Sequence, residues 1–528
     1  PLPCPAHTRR CSSSISAPAQ SIYEVRVRRT ILKLALAGAL VSAAACNGCR
    51  PSEVPRDSAV AETPTVRLYL VSNAAGALEP CGCVKDQLGG LDHVAALVLS
   101  DKKSAPPSSS VVVSAGPLFF LDPVIKSERQ PQERAKAETM ADVLKSLDFV
   151  AFAPGRNDWA LGQGELADLA ARSGGAADVC NVAPKGTLFH ASVVRTIGGV
   201  KVGFIGVARP DKSDIGTPLG ELQFEESASA VKTEAAAATA QGAQVLVAIA
   251  AVGRGEAKRI ADLVPSLTAI LVGATGMGGE ENTSAPPPEL VGNVLVAETS
   301  NHLQTVGVLD LFVRDHSYVF HDAGNIALGE KKKGLDSRID ELHAKIADWE
   351  KDPKIATGDL KARRADLAKL EAERKALEES PAPKEGSFFR YKVREIRDSL
   401  GSDLGVKQQF LAYYKKVDAM NQRDFADRLP PPPPPSGDSY AGIDACVPCH
   451  AAPKAVWDKT AHAHAYATLA TAFKEYNLDC VSCHVTGYEE PGGSSVTHVE
   501  KLKNVQCEVC HGPSSRQVKD PKNVQAPT

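Results

Sequence analysis

The chain has 528 residues, of which 43% are hydrophobic and 23% charged, with a formal net charge of -3. This length accommodates about two to four domains with ample core. The near-neutral charge gives no electrostatic footprint for nucleic acid. Thirteen cysteines and thirteen histidines are present, and six of each fall between Cys446 and His511.

The first element is a targeting segment. Arg26, Arg28, Arg29 and Lys33 lead into an apolar run from Leu34 to Val41, followed by small residues up to Cys46. This is the order of a basic region, a hydrophobic region and a cleavage region, and the run is too short to span a bilayer. Small residues ending in a cysteine resemble the lipobox of bacterial lipoproteins, although Ala43 stands where leucine is commoner. The resemblance implies a lipidated Cys46 and a lipid-anchored protein of the periplasm or cell envelope. Nothing before Arg26 fits a signal, so an over-long start is expected and residues 1–45 are read as signal peptide. Residues 46–64 are polar and contain proline, as a tether would.

From 65 to 330, β-rich runs alternate with helical patterns. Strands are predicted at 66–72, 110–116, 149–155, 201–208, 244–252, 267–275 and 293–300. Helices are predicted at 91–103, 132–147, 163–174 and 226–241. Such alternation predicts a layered α/β domain. Residues 331–429 are read as a helical connector. Leu335, Ile339, Leu342 and Ile346 form one apolar stripe, and Leu360, Leu367, Leu370 and Leu377 a second, with Pro353 between them. Two antiparallel helices follow from this pattern, and a third helical piece is expected over 388–425. Six prolines, Pro430 to Pro435, open a stiff spacer over 430–439, ahead of a small, mostly α segment over 440–528.

One pentapeptide pattern occurs three times in that segment: Cys446-x-x-Cys449-His450, Cys480-x-x-Cys483-His484 and Cys507-x-x-Cys510-His511. Zinc knuckles use paired cysteines but do not require histidine directly after each pair. Haem c attachment does: two thioethers hold the macrocycle and the adjacent imidazole reaches the iron. The pattern therefore points to three haem c groups. Met140, Met277 and Met420 all lie outside the segment, so a local methionine axial ligand is excluded. His462, His464 and His498 are spare and are either sixth ligands or surface residues. Paired imidazoles give lower potentials than imidazole with thioether.

The stretch from Tyr440 to about Pro513 resembles the multihaem cytochromes of the c-552/c-554 type. That resemblance implies that the Trp457-x-x-Thr460-x-His462 stretch supplies a distal histidine. It also implies electron exchange with other cytochromes or quinol-linked donors. Family members often carry a fourth motif, where this sequence has three.

The region from Val66 to Leu311 resembles the metallophosphoesterase domain of bacterial 5′-nucleotidases, which implies a layered sandwich with its site at the strand ends. The ligands of the dinuclear metal site are replaced. Asn73-Ala74-Ala75 stands for Asp-x-His, Gly116-Pro117 for Gly-Asp, and Gly155-Arg156-Asn157-Asp158 for Gly-Asn-His-Asp. Ala251 stands for a lone histidine and Gly273-Ala274-Thr275-Gly276 for Gly-His-x-His. Alanine, proline and glycine offer no side-chain ligand, so ordinary nucleotidase chemistry is not expected. Cys81-Gly82-Cys83 follows the first strand and resembles a subgroup of these proteins that shares the motif. It reads as a redox-active dithiol, as a soft-metal ligand, or as a structural thiol pair. Arg156 and Asp158 either line a pocket or brace a loop. The leading expectation is an exported electron-transfer protein whose degenerate nucleotidase-like domain binds a partner or small molecule in the vestigial pocket. The alternatives are a redox enzyme working through Cys81 and Cys83, and a phosphoesterase with an altered metal site.

Overall fold

The computed structural model describes residues 62–80, 87–104, 109–183, 189–209, 222–274, 281–324, 326–377, 383–433, 435 and 437–525. The signal segment, Cys46, most of the tether, and Cys81 and Cys83 lie outside those residues. Residues 63–528 group into one compact unit. No helix among the described residues is long and apolar enough to cross a membrane.

The first lobe begins β1 (Val66–Ser72), α1 (Leu91–Ser104), β2 (Ser110–Gly116), α2 (Gln130–Ser146), β3 (Phe149–Pro154) and α3 (Gly162–Ser173). It continues with β4 (Ala176–Ala177), β5 (Val182–Ala183), β6 (Ser192–Ile197), β7 (Val200–Ala208), β8 (Gln223–Phe224), α4 (Ser227–Ala240), β9 (Val245–Ala251), α5 (Arg254–Leu263) and β10 (Ala269–Gly273). Then come β11 (Glu289–Val291), β12 (Val294–Glu298), β13 (Thr305–Phe312) and β14 (His321–Asp322). A hairpin of α6 (Gly329–Trp349) and α7 (Thr357–Ala376) follows, and then β15 (Phe388–Glu395) and α8 (Leu404–Asp424).

Among the described residues one sheet runs β14-β15-β13-β1-β2-β3-β4 and the other β11-β12-β10-β9-β7-β6. Successive side chains of a strand point to opposite faces. Leu68 and Leu70 of β1 therefore enter a core shared with Phe204 and Ile249 of the other sheet. Tyr69 and Val71 point the other way, onto helices α1 and α2. The second sheet repeats this with Ile205 and Val207 beneath the alanine-rich α4 and α5. Cys180 is a small buried member of that layer. The lobe is thus helix, sheet, sheet, helix, and its strands read as continuous apolar runs because both faces are covered.

All seven predicted strands and the four predicted helices of this lobe form. The piece expected as a third helix over 388–425 does not form as one. Residues 388–395 make strand β15, paired along its whole length with β13, because Phe389 and Tyr391 alternate inward with two-residue spacing. Helix α8 then packs on α1 and α2 through Val406, Phe410, Tyr413 and Val417. The chain thus returns to the lobe, and only the hairpin of α6 and α7 stands as an insertion. Leu335 and Ile346 are buried in that hairpin, Pro353 lies in its turn, and Arg364–Glu350 and Arg374–Asp336 pairs at 2.6 Å link the two helices.

The proline run does not hold the segments apart. Gly492 N–H donates to Pro431 O at 2.7 Å, and Phe425 of the preceding turn shares a small core with Leu478 and Val496. Helix α7 buries no residue. Replacing residues 331–380 with a short Gly/Ser linker is therefore expected to leave the thermal midpoint of the rest unchanged. A fall of several degrees by calorimetry would show that the hairpin braces the lobe.

Candidate functional site

Residues 440–525 form short helices joined by turns: α9 (Ile443–Trp457), α10 (Ala465–Ala470), α11 (Val481–His484), α12 (Cys507–His511) and α13 (Ser515–Lys519). The three Cys-x-x-Cys-His motifs fall on α9, α12 and the turn that leads into α11. Helical spacing of three and four residues puts both thiols and the imidazole of a motif on one side. Near His450 helix α9 kinks, with Pro448 and Pro453 flanking it. None of the six motif cysteines is bridged in a disulfide, and Cys449, Cys483 and Cys510 are exposed.

The apolar cores of this segment are clusters of only three buried residues, such as Val481, Val485 and Val499. A segment of this size buries little of its surface unaided. Unbridged thiols in a segment with so little core fit macrocycles attached at the motifs.

Polar contacts tie the motifs together. Glu508, buried inside the third motif, accepts Ala441 N–H, Gly442 N–H and Ser514 N–H at 3.0, 2.8 and 2.9 Å. Gln506 Oε1 accepts Ile443 N–H at 2.7 Å, where α9 begins. The first and third motifs are therefore neighbours. Burial, with Cys507 nearby, pushes the Cys446 thiol up. Trp457 Nε1 donates to Val505 O at 2.8 Å, and Val505 N–H donates to His462 O at 3.2 Å. This sets His462 beside the third motif. His464 Nε2 lies 3.2 Å from Asp458 O. His498 Nδ1 lies 3.1 Å from Thr497 Oγ1. His484 Nδ1 lies 2.6 Å from Ala465 O, so its N–H donates there and Nε2 keeps its lone pair, the usual arrangement of a metal-bound imidazole.

The described residues at the strand ends, where the sequence lacks the expected metal ligands, pack closely. Asn73 Oδ1 accepts Ala274 N–H at 2.6 Å, and a Cβ on Gly116 (φ +80°) would stand 2.2 Å from that oxygen. A Cβ on Gly155 would stand 2.3 Å from Pro117 Cδ. The Asn73 and Pro117 side chains thus lie against the glycines at the strand ends. Asp158 does not line a pocket: its carboxylate accepts Leu118, Phe119 and Gly155 N–H at 3.0, 2.8 and 3.0 Å. Burial pushes this carboxyl up to about 7, against the pull of those donors. Among the described residues no three His, Cys, Asp or Glu side chains come together as metal ligands would.

One open cavity, of about 170 Å³, lies at the loop that begins with Ala75. Ala75 to Pro80, His302, Tyr414 and Lys474 line it together with Asp479 and Cys480, the first thiol of the second motif. The C-terminal segment is held here by a buried polar clamp. Asp479 pairs with Arg129, and with Lys136 at 2.9 Å. Burial pushes the Asp479 carboxyl up, but Lys136 and Arg129 outweigh it and hold the group below its ordinary range. Buried Gln132 accepts Leu478 N–H and Asn421 Nδ2–H at 2.9 and 2.8 Å. Glu79 takes both Tyr414 O–H, at 2.6 Å, and Lys474. His302 was not singled out in the sequence, because a lone histidine in a loop carries no pattern. Its Nδ1 lies 3.1 Å from Asn282 Oδ1, its Nε2 is buried without a partner, and burial holds its pKa below the ordinary imidazole value.

Residues 445–512 match the family model described as cytochrome c554 and c-prime. Over 90 residues the chain is 33% identical to cytochrome c-554 of Nitrosomonas europaea, covering 14% of this chain and 38% of that protein. In fold, the chain is similar to a 5′-nucleotidase precursor from Thermus thermophilus, with a TM-score of 0.46 and 19% identity over 70% of this chain and 61% of that one. It is also similar to the calcineurin-like phosphoesterase YfkN of Bacillus subtilis, with a TM-score of 0.38 and 17% identity over 48% of this chain and 86% of that one. The chain therefore spans less than two thirds of the cytochrome and of the Thermus protein. Its C-terminal segment is similar to cytochrome c554 and c-prime, a likeness that implies haem c.

Two substitutions test the arrangement. Asp158→Asn would set an amide N–H2 against backbone N–H donors, at a cost of about 1–3 kcal/mol. That predicts a thermal midpoint lower by several degrees, measured by calorimetry. Asp479→Ala would leave Arg129 and Lys136 with their pairs to Glu133 but remove the carboxylate that joins them to the C-terminal segment, at a cost of about 1–3 kcal/mol. Hydrogen exchange should then rise at residues 474–480 while the sheets stay protected. Because the folded pKa of Asp479 is depressed, its contribution is complete above about pH 4. It is lost as pH falls through the lower folded value, so the wild-type clamp should open only in stronger acid.

Proposed function

We propose that this chain is an exported multihaem c-type cytochrome that passes electrons to or from a small molecule or partner received beside its α/β lobe. The observation that carries the reading is that Cys480 of the second attachment motif lines the same cavity as the loop from Ala75 to Pro80. A haem attached there would sit at the wall of a ligand-sized space rather than at bare surface.

Cys446 and Cys449, Cys480 and Cys483, and Cys507 and Cys510 hold three haem c groups, with His450, His484 and His511 as proximal ligands. His462, His464 and His498 are the candidate distal ligands within the segment. When bound, haem c supplies reversible one-electron exchange between ferric and ferrous iron, and imidazole pairs keep its potential low. The chain's own residues do the rest. Glu508 and Gln506 fix the first motif against the third, the Ala465 carbonyl orients His484, and Asp479 fastens the second motif to the lobe. Haem attachment and the signal segment both favour a periplasmic site, with Cys46 as lipid anchor near quinol-linked donors or other cytochromes.

A second reading makes the chain a redox enzyme. It is favoured by Pro80, which lines the cavity and directly precedes Cys81. In that reading the Cys81 and Cys83 thiols would close to a disulfide as they give two electrons and two protons to a substrate. Haem c, when bound, would supply the electrons that return the disulfide to the dithiol with two protons from water. Cys83→Ala should then abolish turnover with the haem spectrum intact. The closed strand ends, with Ala251 and Gly116-Pro117 at ligand positions, do not favour a phosphoesterase.

The deciding measurement is intact mass with elemental analysis, on protein made in a host that matures cytochromes c. Three haems per chain are expected, with two in Cys480→Ala/Cys483→Ala. An unmodified polypeptide mass, or a stoichiometric metal other than haem iron, would overturn the reading.

A further inference from the structure

The third motif carries a buried carboxylate. Glu508 stands between Cys507 and Cys510 in the sequence and is 3% exposed. Its oxygens accept three backbone N–H groups, from Ala441 and Gly442 ahead of α9 and from Ser514 behind the motif. A carboxylate only accepts, so three converging donors suit it. Among the described residues no cation forms an ion pair with it. The N–H dipoles stabilise its charge and fix its place, but they leave it a net anion.

That anion is felt at the first motif as well as the third. Gly442 caps α9, the helix that carries Cys446. Burial pushes the Cys446 thiol up, and Cys507 and Glu508 add to it. Burial also pushes the Tyr440 phenol up, with Glu490 and Glu508 adding to it. The second motif is set differently. Asp479, directly before Cys480, is faced by both Arg129 and Lys136. Each of these also pairs with Glu133, at 3.1 and 2.9 Å. Two cations and two carboxylates close on one another, so the network is neutral as a whole. Glu79 and Lys474, at the same cavity, likewise cancel. Ferric iron carries one more positive charge than ferrous iron. A buried anion beside it therefore favours the ferric state and lowers the potential, more strongly in the interior than in water. A neutral network does not.

We propose that the Glu508 carboxylate holds the haems of the first and third motifs at lower potential than the haem of the second, which is then the most readily reduced of the three. This rests on reading all three motifs as haem c sites. Gln506 supplies an internal comparison. It ties the same two motifs, with Oε1 accepting Ile443 N–H and Nε2 donating to Lys501 O and Lys503 O at 2.8 and 2.9 Å, but it carries no charge.

The test is a spectroscopic redox titration of full-length holoprotein, after intact mass has given the haem count of wild type and each variant. An unmodified wild-type mass, or every haem retained in Cys480→Ala/Cys483→Ala, would show that the motif reading fails, and the proposal falls with it before any midpoint is compared. With the haems confirmed, Glu508→Gln should raise two midpoints and leave the third in place. At a fixed potential the ferric-to-ferrous ratio of those two should fall about tenfold, which is about 59 mV for a one-electron couple. Gln506→Ala loosens the same tie without removing a charge and should leave all midpoints near their wild-type values. Cys480→Ala/Cys483→Ala should remove the highest midpoint, a result that stands whether or not Glu508→Gln folds. Unchanged midpoints in Glu508→Gln would overturn the proposal. So would an equal rise in Gln506→Ala, or survival of the highest midpoint when the second motif is removed.

Discussion

The arrangement depends on one buried carboxylate. Asp479 stands directly before the second motif and is held by Arg129 and Lys136 of α2 and the turn before it. Taking such charges out of water is unfavourable unless each is paired, and here both cationic partners come from the other lobe. The amide contacts of Gln132 with Leu478 and Asn421 extend the same seam. The C-terminal segment buries little apolar surface of its own, so this polar seam fixes where its second motif lies.

The lobe that receives the segment packs its strand ends closely. At the strand ends Asn73 bonds to the backbone of Ala274, and Gly116 and Gly155 let neighbouring loops close together. Asp158 braces the loop at Leu118 and Phe119. The cavity lies at the loop from Ala75 to Pro80, where the lobe meets the C-terminal segment.

The two parts of the chain contribute different things to that cavity. The C-terminal segment brings Cys480 and Lys474. The lobe brings Tyr413, Tyr414 and His302.

Much of this was legible along the chain. Alternating apolar runs marked seven strands of the sandwich, because strands buried on both faces must be apolar throughout. Three repeats of Cys-x-x-Cys-His marked the C-terminal segment, because haem c attachment chemistry fixes such spacing locally. Asn73, Pro117 and Ala274 at the positions where the resembled family carries metal ligands were legible too, since side-chain identity alone decides whether a ligand is present. Other features depended on partners far off in sequence. Phe388–Glu395 is a strand because β13 pairs with it, which its own charged residues did not announce. The proline run packs against Gly492 because α8 ends beside the segment that follows. Asp479 and Gln132 gain their roles only where lobes distant in sequence meet, and no local pattern encodes a contact between residues 129 and 479. Sequence determined which chemistry the chain can hold, through local spacing and side-chain type. The tertiary structure decided where that chemistry faces, because burial and pairing are properties of the assembled core.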